Sequence, residues 1–253
     1  MAGSETAVDI RKLTELDEFR GAVQLQKTIW GFADIDLLPL RFFVVASRVG
    51  GQVLGAFDGE TMIGFCLGIP GVKPTGRAYL HSHMLGVLPE YHNLGIGRRL
   101  KLRQRDDALA RNIPLIEWTF DPLELKNAFF NIERLGAIVR RYSVNQYGDT
   151  SSPLHGGLPT DRCYAEWWID SPRVHAILNR RGAEAPPMGP RHLRIAFPAN
   201  IAQIRSEDNA RARAIQQANA EKFQSAFASG LAATGFTYND AEGVYLLEPW
   251  NEN

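Results

Sequence analysis

The stretch that decides the fold is residues 77–99, RAYLHSHMLGVLPEYHNLGIGRR. It begins with a period-two alternation, which is typical of a strand. The residues predicted to share one strand face are Tyr79, His81, His83, Leu85 and Val87. A tight turn with two glycines follows at residues 92–97, and a strongly basic helix starts near Gly97. A strand, a Gly-x-Gly turn and a helix N-terminus together suit a pyrophosphate, because glycines let the backbone approach and the first N–H groups of the helix face the anion.

Composition restricts the class of protein before any motif is considered. The chain has 253 residues, of which 45% are hydrophobic and 22% are charged, as in ordinary globular proteins. Its 28 Lys and Arg residues balance 28 Asp and Glu residues, so we expect neither nucleic acid nor a membrane as partner. We predict that Cys66 and Cys163 are buried thiols and not a disulfide or a metal site. Together with an N-terminus that lacks a signal-peptide pattern, this predicts a cytoplasmic protein.

The first part of the chain predicts a mixed α/β (α+β) sheet. The predicted order to Tyr147 is β-α-α-β-β-β-α-β-α-β. Thr14 is the predicted cap of a helix over residues 15–30, and Asp58-Gly59 predicts a hairpin turn. The second hairpin strand is predicted at residues 61–69, with a loop at 70–75.

The character of the sequence changes after Tyr147, which predicts two domains, residues 1–147 and 148–253. The second is a C-terminal α/β extension. Its predicted elements are a loop at 148–162, a strand at 163–169, a helix at 171–181, a linker at 182–190, a strand at 193–197, one long helix at 206–230 and a strand at 244–247.

Two motifs and the element order resemble the GNAT family of acyl-CoA-dependent N-acyltransferases. The family pattern Arg/Gln-x-x-Gly-x-Gly/Ala follows its fourth strand, and here it reads His92-Asn-Leu-Gly-Ile-Gly. His92 therefore departs from the usual Arg or Gln. Residues 133–137, ERLGA, resemble the family's Tyr-Glu-Lys-Leu-Gly-Phe run, with Ile132 where a Tyr often stands. The resemblance covers residues 8–147 and looks like a GNAT branch with a C-terminal extension.

The resemblance implies binding of acetyl-CoA or another acyl-CoA and transfer of the acyl group, with no metal. The implied contacts are backbone groups of the strand and turn, the guanidinium of Arg98 and two amides at i, i+4 on a later helix. For most of the other basic residues of the helix we favour a solvated face, and helix surface is the alternative for the amides. The CoA-binding set is Leu85, Gly86, Val87, His92, Asn93, Leu94, Gly95, Ile96, Gly97, Arg98, Asn127 and Asn131.

The histidine pair offers a general base. HSHMLGV, residues 81–87, resembles a strand of one GNAT member in which paired histidines serve in proton removal. An imidazole at His81 or His83 titrates in the useful range; the alternative is two core histidines satisfied by hydrogen bonds. Since Ile132 cannot act as the acid for the thiolate, Tyr142 and Tyr147 are the candidates. Aromatic packing is the alternative for both, and thiolate departure can also proceed without an acid.

The acceptor is predicted to be a small-molecule amine, among which amino acids are candidates. Trp30 and Asp34, or Asp36, lie in the loop where the family's acceptor loop lies. Asp161 and Arg162 are suited to the charged groups of an amino acid, with an ordinary salt bridge as the alternative. A non-catalytic CoA-sensing module and a protein acetyltransferase stay open as other functions, and a homodimer stays open as the oligomeric state.

Overall fold

The computed structural model describes residues 8–148, 156–180 and 193–250. The chain forms two compact units, Met1–Ile116 and Glu117–Asn253. Both combine helices with sheet strands, so the predicted mixed α/β class is confirmed. The strand β5, Leu115–Phe120, crosses the boundary between the units. The domain boundary that the sequence predicts after Tyr147 stays a prediction.

The first unit contains four antiparallel strands in the order β1-β2-β3-β4. Short 3-10 turns at Asp34–Asp36 and Pro89–Tyr91 lie in its loops. The elements are β1 Asp9–Lys12, α1 Leu16–Trp30, α2 Leu40–Arg48, β2 Gln52–Asp58, β3 Thr61–Val72, β4 Ala78–Val87 and α3 Ile96–Ala110.

Two local predictions in this unit are wrong. Thr14 does not cap α1: the N-cap is Glu15, and the Glu18 carboxylate accepts hydrogen bonds from the N–H groups of Thr14 (2.8 Å) and Glu15 (3.1 Å). The predicted loop at 70–75 starts too early, because β3 continues to Val72. Pairing with β4 holds this end of β3 extended in spite of Pro70, which opposes Leu80.

The sheet of the first unit buries a hydrophobic cluster on each face. The cluster on one face joins the sheet to α1 and α2 and includes Phe19, Phe43, Phe65 and Leu67. The cluster on the other face joins it to α3 and includes Leu54, Ile63, Cys66 and Leu100. These two faces are called the α1–α2 face and the α3 face below.

The strands of the second unit follow the order β5-β7-β6-β9-β10-β8. β6 pairs antiparallel with both β7 and β9, and β10 pairs antiparallel with β9 and β8. The further elements are α4 Leu125–Phe129 with a π-helical turn at Phe130–Arg134, β6 Ile138–Ser143, β7 Arg162–Trp168, α5 Pro172–Leu178, β8 Leu193–Pro198, α6 Ile201–Glu207, α7 Asn209–Ala228, β9 Leu231–Tyr238 and β10 Glu242–Pro249.

The C-terminal elements differ most from prediction. The long helix predicted at 206–230 is confirmed as α7, but it starts later than predicted because Asp208 adopts a non-helical φ of −141° and its side chain caps α7. The short helix α6 before it has no counterpart among the predicted elements. β9 has no counterpart among the predicted elements: its start at Leu231 continues the apolar helical stripe, and only the positive φ of Gly230 marks the helix end. β10 is longer than predicted. The predicted linker at 182–190 lies outside the described residues.

Both cysteines are free and buried, as predicted. None of the helices in the described part of the chain is long and apolar enough to cross a membrane. Within that same part, no group of three or more His, Cys, Asp or Glu side chains is arranged to hold a metal ion.

Candidate functional site

Strand β4 contains a β-bulge at His83. Met84 opposes Leu67 on β3 and Ser82 opposes Gly68, which leaves His83 as an extra residue between two paired positions. The bulge interrupts the period-two alternation, so Leu85 and Val87 pack on the α3 face while Met84 packs on the α1–α2 face. The prediction that the histidines share a face with Leu85 and Val87 is therefore wrong.

The two histidines lie together on the α1–α2 face. Their ring centroids are 5.9 Å apart, and the His83 ring lies 6.4 Å from the ring of Phe42 on α2. Desolvation by the surrounding protein lowers the pKa of His83 below its ordinary value. His83 is nevertheless an exposed residue, and an imidazole with a pKa below 6.5 is largely neutral near pH 7, so it is chemically able to accept a proton.

The helix α3 begins directly after the glycine turn, and its N-terminus has no side-chain cap among the described residues. Asn93 and Gly95 both adopt left-handed backbone, with φ of 64° and 76°, and in the described residues no side chain caps the helix at Gly95. The first helical hydrogen bond runs from Arg99 N–H to Gly95 O, 3.0 Å. Helix geometry leaves the N–H groups of Ile96 and Gly97 without an intrahelical acceptor, which is the arrangement that binds an anion.

His92 connects this turn to the end of β4. Its Nε2 is hydrogen-bonded to the carbonyl of Val87, 2.9 Å. The N–H of Leu88 donates to Ile63 on β3, and because successive strand amides face opposite edges, those of Leu85 and Val87 face away from β3. Gly86 leaves room for the end of α1, since a Cβ there would lie 2.8 Å from atoms of Ile29 and Trp30.

The predicted acceptor residues of the first unit lie at the end of α1. The Trp30 ring stacks on Phe32 at 5.6 Å and meets Phe65 edge-on at 5.8 Å, so it helps fix the loop that follows. Asp34 is exposed and forms an ion pair with Lys27, 2.6 Å. A cation already neutralises this carboxylate, so an incoming ammonium has to compete with it.

The two amides predicted on one helix face of the second unit differ in exposure. Asn127 is exposed, whereas Asn131 is buried and its Oδ1 accepts a hydrogen bond from Trp118 Nε1 at 3.2 Å. A π-helical turn begins at Phe130, next to Asn131. Ile132 is fully buried in the core.

Tyr142 and Asp161 are hydrogen-bonded to each other, although the sequence predicts two separate roles for them, as acid and as acceptor-binding residue. The Tyr142 hydroxyl donates to Asp161 Oδ2 at 2.6 Å, and its ring stacks on Phe223 at 5.4 Å. Asp161 is 3% exposed, and its second oxygen accepts from the Asn145 N–H at 2.9 Å. Burial and the bond to Asp161 raise the pKa of Tyr142 far above its ordinary value. These contacts favour a structural role for both residues.

The remaining two candidates of this unit also have internal contacts. Arg162 donates from Nη1 to the backbone carbonyl of Asp161, 2.9 Å, and its guanidinium lies 5.2 Å from the ring centroid of Tyr147. The Tyr147 hydroxyl is hydrogen-bonded to Thr119 Oγ1, 2.8 Å. Both side chains therefore have contacts within the protein, although Tyr147 is 49% exposed and the hydrogen bond from Arg162 goes to the backbone of Asp161 and not to its carboxylate.

Sequence reasoning missed one polar residue next to the bulge. Lys101 counts among the basic residues predicted to face solvent, yet it is only 3% exposed on the inner side of α3. Its Nζ donates to Ser82 Oγ at 2.7 Å. The sequence did contain a signal for this burial. Lys101 stands next to the apolar Leu100 and three residues before Gln104, on the side of the helix that the apolar spacing places toward the core.

The comparison with protein families identifies the domain. Residues 18–136 match the acetyltransferase (GNAT) family. This part of the chain is a GNAT acetyltransferase domain, which confirms the resemblance carried by the glycine turn and the ERLGA run. Among curated proteins, none matches the chain.

Solved structures support the same fold. The ribosomal-protein-S18-alanine N-acetyltransferase from Escherichia coli superposes with a TM-score of 0.52 at 16% identity, covering 65% of this chain and 96% of its own. The putative acetyltransferase yncA from Salmonella typhimurium, solved with its cofactor acetyl-CoA, gives 0.52 at 15% identity, with 65% and 95% covered. NAA60 from Arabidopsis thaliana, solved with a bisubstrate analogue, gives 0.51 at 12% identity, with 64% and 98% covered.

Proposed function

We propose that this protein is an acyl-CoA-dependent N-acyltransferase that transfers an acetyl group, or a larger acyl group such as succinyl, directly to the amine of a small molecule. Amino acids are among the candidate acceptors. The observation that carries the proposal is the uncapped N-terminus of α3, which the glycine turn joins to the strand that holds His83. Its occurrence within a GNAT domain supports an acyl-CoA as the ligand of this anion site.

The residues of the first unit suit an acyl-CoA. The N–H groups of Ile96 and Gly97 would receive the pyrophosphate, and the left-handed Gly95 keeps the backbone open there, since a Cβ would have no neighbour within 4 Å. The amide groups of Leu85 and the N–H of Val87 face the strand edge away from β3 and would serve the pantetheine. His92 would contribute by fixing the turn to the Val87 carbonyl in place of the usual Arg or Gln.

The chemistry needs a free amine and a base. The acceptor nitrogen attacks the thioester carbonyl carbon, a C–N bond forms, and the C–S bond breaks to release the CoA thiolate. The proton that the nitrogen loses passes to a neutral imidazole, for which His83 is the first choice and His81 the second. The thiolate takes up a proton from water, since Tyr142 keeps its own through the bond to Asp161.

Isothermal titration tests the first half of the proposal. Acetyl-CoA, succinyl-CoA and free CoA are titrated into the protein separately, and we expect at least one acyl-CoA to bind. Absence of binding by all three would reject the proposal. Thiol release in the presence of a panel of amines and amino acids tests the second half, with each amine omitted in turn as the control.

Two observations favour a second candidate, a non-catalytic CoA-binding module. Ile132 is buried where the family often has a Tyr, and Tyr142 is tied to Asp161. This candidate predicts binding without turnover against the whole panel. A protein acetyltransferase is the third candidate, and acetylation of a partner protein in place of small amines would support it. The cytoplasmic location stays a prediction.

A further inference from the structure

A buried polar network connects α3 to the sheet next to the bulge. Lys101 and Ser82 are 3% and 4% exposed, and the Lys101 Nζ donates to Ser82 Oγ at 2.7 Å and to Gln104 Oε1 at 3.3 Å. Gln52 extends the network, since its Nε2 donates to the Gln104 carbonyl at 2.9 Å and to Asp107 Oδ2 at 2.7 Å. All of these residues belong to the first unit.

Burying this polar network costs more free energy than burying apolar side chains of the same size would. Taking an ammonium out of water costs free energy that its hydrogen bonds only offset in part. Burial lowers the pKa of Lys101 to about 8. Its neighbours Leu100 and Cys66 show that apolar side chains fit the same face. A polar set at such a place points to a role other than stability.

The network acts where β4 leaves its regular alternation. Ser82 and Leu85 both face α3 although they are three residues apart, whereas a regular strand brings residues two apart to one face. The extra residue between them is His83, which is turned to the opposite face beside Phe42. The pairing of β4 with β3 places the bulge, and the bond from Lys101 to the Ser82 hydroxyl holds the residue before it toward α3.

We propose that Lys101 is a positioning residue for His83 and that it acts through the hydroxyl of Ser82. The ammonium anchors Ser82 on the α3 face, and the anchored strand presents His83 on the α1–α2 face. The inference rests on the proposed function in that His83 is the base whose direction matters. Lys101 itself touches neither of the reactants.

The test measures the histidine directly and needs no acceptor. The protein is labelled with ¹³C at the histidine rings, and the His83 signal among the six histidines is assigned with His83→Asn. In Lys101→Met, which keeps the aliphatic length and loses the ammonium, we expect the His83 signal to shift and its pKa to move, while affinity for CoA stays within about twofold. Ser82→Ala should reproduce both changes, and Ser82→Thr, which keeps the hydroxyl, should restore the wild-type signal.

Controls make the outcome decisive. Arg103→Met removes a cation from the exposed side of the same helix and should leave the His83 signal unchanged. Where the wild type shows turnover, Lys101→Met should lower kcat by about 10- to 100-fold with little change in KM, as expected for a misdirected base. The effects of Lys101→Met and Ser82→Ala should not add in the double variant.

An unchanged His83 signal and pKa in folded Lys101→Met would overturn the inference. If Lys101→Met does not unfold cooperatively, Ser82→Ala decides in its place, and an unchanged His83 signal there has the same meaning. A wild type without turnover on any amine would count against the proposed function alone, because the His83 signal still judges the role of Lys101.

Discussion

At the scale of the residue, His83 is the side chain on which the proposed chemistry depends. We expect His83→Ala to keep the affinity for CoA and to lower turnover by about 100-fold or more, the usual effect of losing a general base. Steady-state kinetics together with titration of CoA checks both halves. Turnover equal to that of the wild type would remove His83 from the mechanism and leave His81 as the candidate.

The pH dependence of turnover follows from the lowered pKa of His83. Desolvation favours the neutral imidazole, so the base form persists to lower pH than for a free histidine. Activity should be present above that lowered pKa and lost as the pH falls through it, which places the acid limb below pH 6.5, the ordinary value. An acid limb that lies above pH 6.5 would contradict this assignment.

Substitutions of Gly95 test two roles of this glycine: its backbone conformation affects the free energy of unfolding, and its lack of a side chain affects CoA binding. Its φ of 76° strains any other L-residue, although a Cβ would meet no atom within 4 Å. We expect Gly95→Ala to lower the free energy of unfolding by about 1 kcal/mol, and Gly95→Asn by less, because Asn tolerates this conformation. Both should weaken CoA binding if the pyrophosphate approaches the turn.

Gly59 provides the matched control for that experiment. It has a φ of 58° and the same open surroundings, but it lies in the hairpin turn between β2 and β3. Gly59→Ala should therefore cost a similar free energy in urea unfolding and leave CoA affinity unchanged. A Gly95→Asn variant that binds CoA as well as the wild type would argue against close approach at the turn.

At the scale of the element, the start of α1 depends on Glu18. Its carboxylate accepts two backbone N–H groups and forms an ion pair with Arg11. Glu18→Ala should lower the free energy of unfolding by about 1 kcal/mol, as for the loss of a helix cap. Asp17→Ala, one residue earlier and exposed, is the control and should cost much less.

The same carboxylate gives this contribution a pH dependence. Burial opposes its ionisation, but the hydrogen bonds from Thr14 and Glu15 and the charge of Arg11 outweigh burial, so the pKa of Glu18 is lowered. A lowered carboxyl pKa stabilises the fold above pH 4.5, the ordinary value, and this stabilisation is lost as the pH falls through the folded-state pKa. The difference between wild type and Glu18→Ala should therefore shrink in acid.

Elements are predictable where their signal is local. The hairpin at Asp58-Gly59 and the helix after the glycine turn follow from residues that act within a few positions of themselves. β9 and the bulge at His83 are not predictable in this way. The alanines of β9 carry no strand preference, so its pairing with β10 decides its conformation. The bulge is set by the pairing of β4 with β3.

At the scale of the whole molecule, the pairing of β6 determines whether a shortened chain that ends after the predicted first domain can fold. β6 lies between β7 and β9, and both of these strands come after Tyr147 in the chain. We expect a chain of residues 1–147 to lose cooperative folding of its last strands, because β6 would expose two unpaired edges. Solubility and limited proteolysis measure this, with residues 1–250 as the control. A soluble, protease-resistant 1–147 fragment would instead establish the domain boundary that the sequence predicts.

Local sequence features are sufficient to define the class of this protein. The turn His92-Asn-Leu-Gly-Ile-Gly, the strand before it and the basic helix after it are such features, since glycine conformations and helix N-termini are set by neighbouring residues. The mixed α/β fold follows from the order of such elements along the chain, and the GNAT domain follows from the family resemblance that the turn and the ERLGA run carry. The histidine pair is a candidate base because it precedes the glycine turn and resembles the paired histidines of a GNAT member.

Long-range packing, in contrast, decides on which face of the sheet a side chain lies and which residues it contacts. The pairing of β4 with β3 places the bulge at His83, and this turns the histidines away from Leu85 and Val87. The packing of α3 buries Lys101 against Ser82, although the many charges of this helix favour a solvated side chain. Strand register and helix burial depend on residues that are distant along the chain. The hydrophobic period of a single stretch therefore does not determine them.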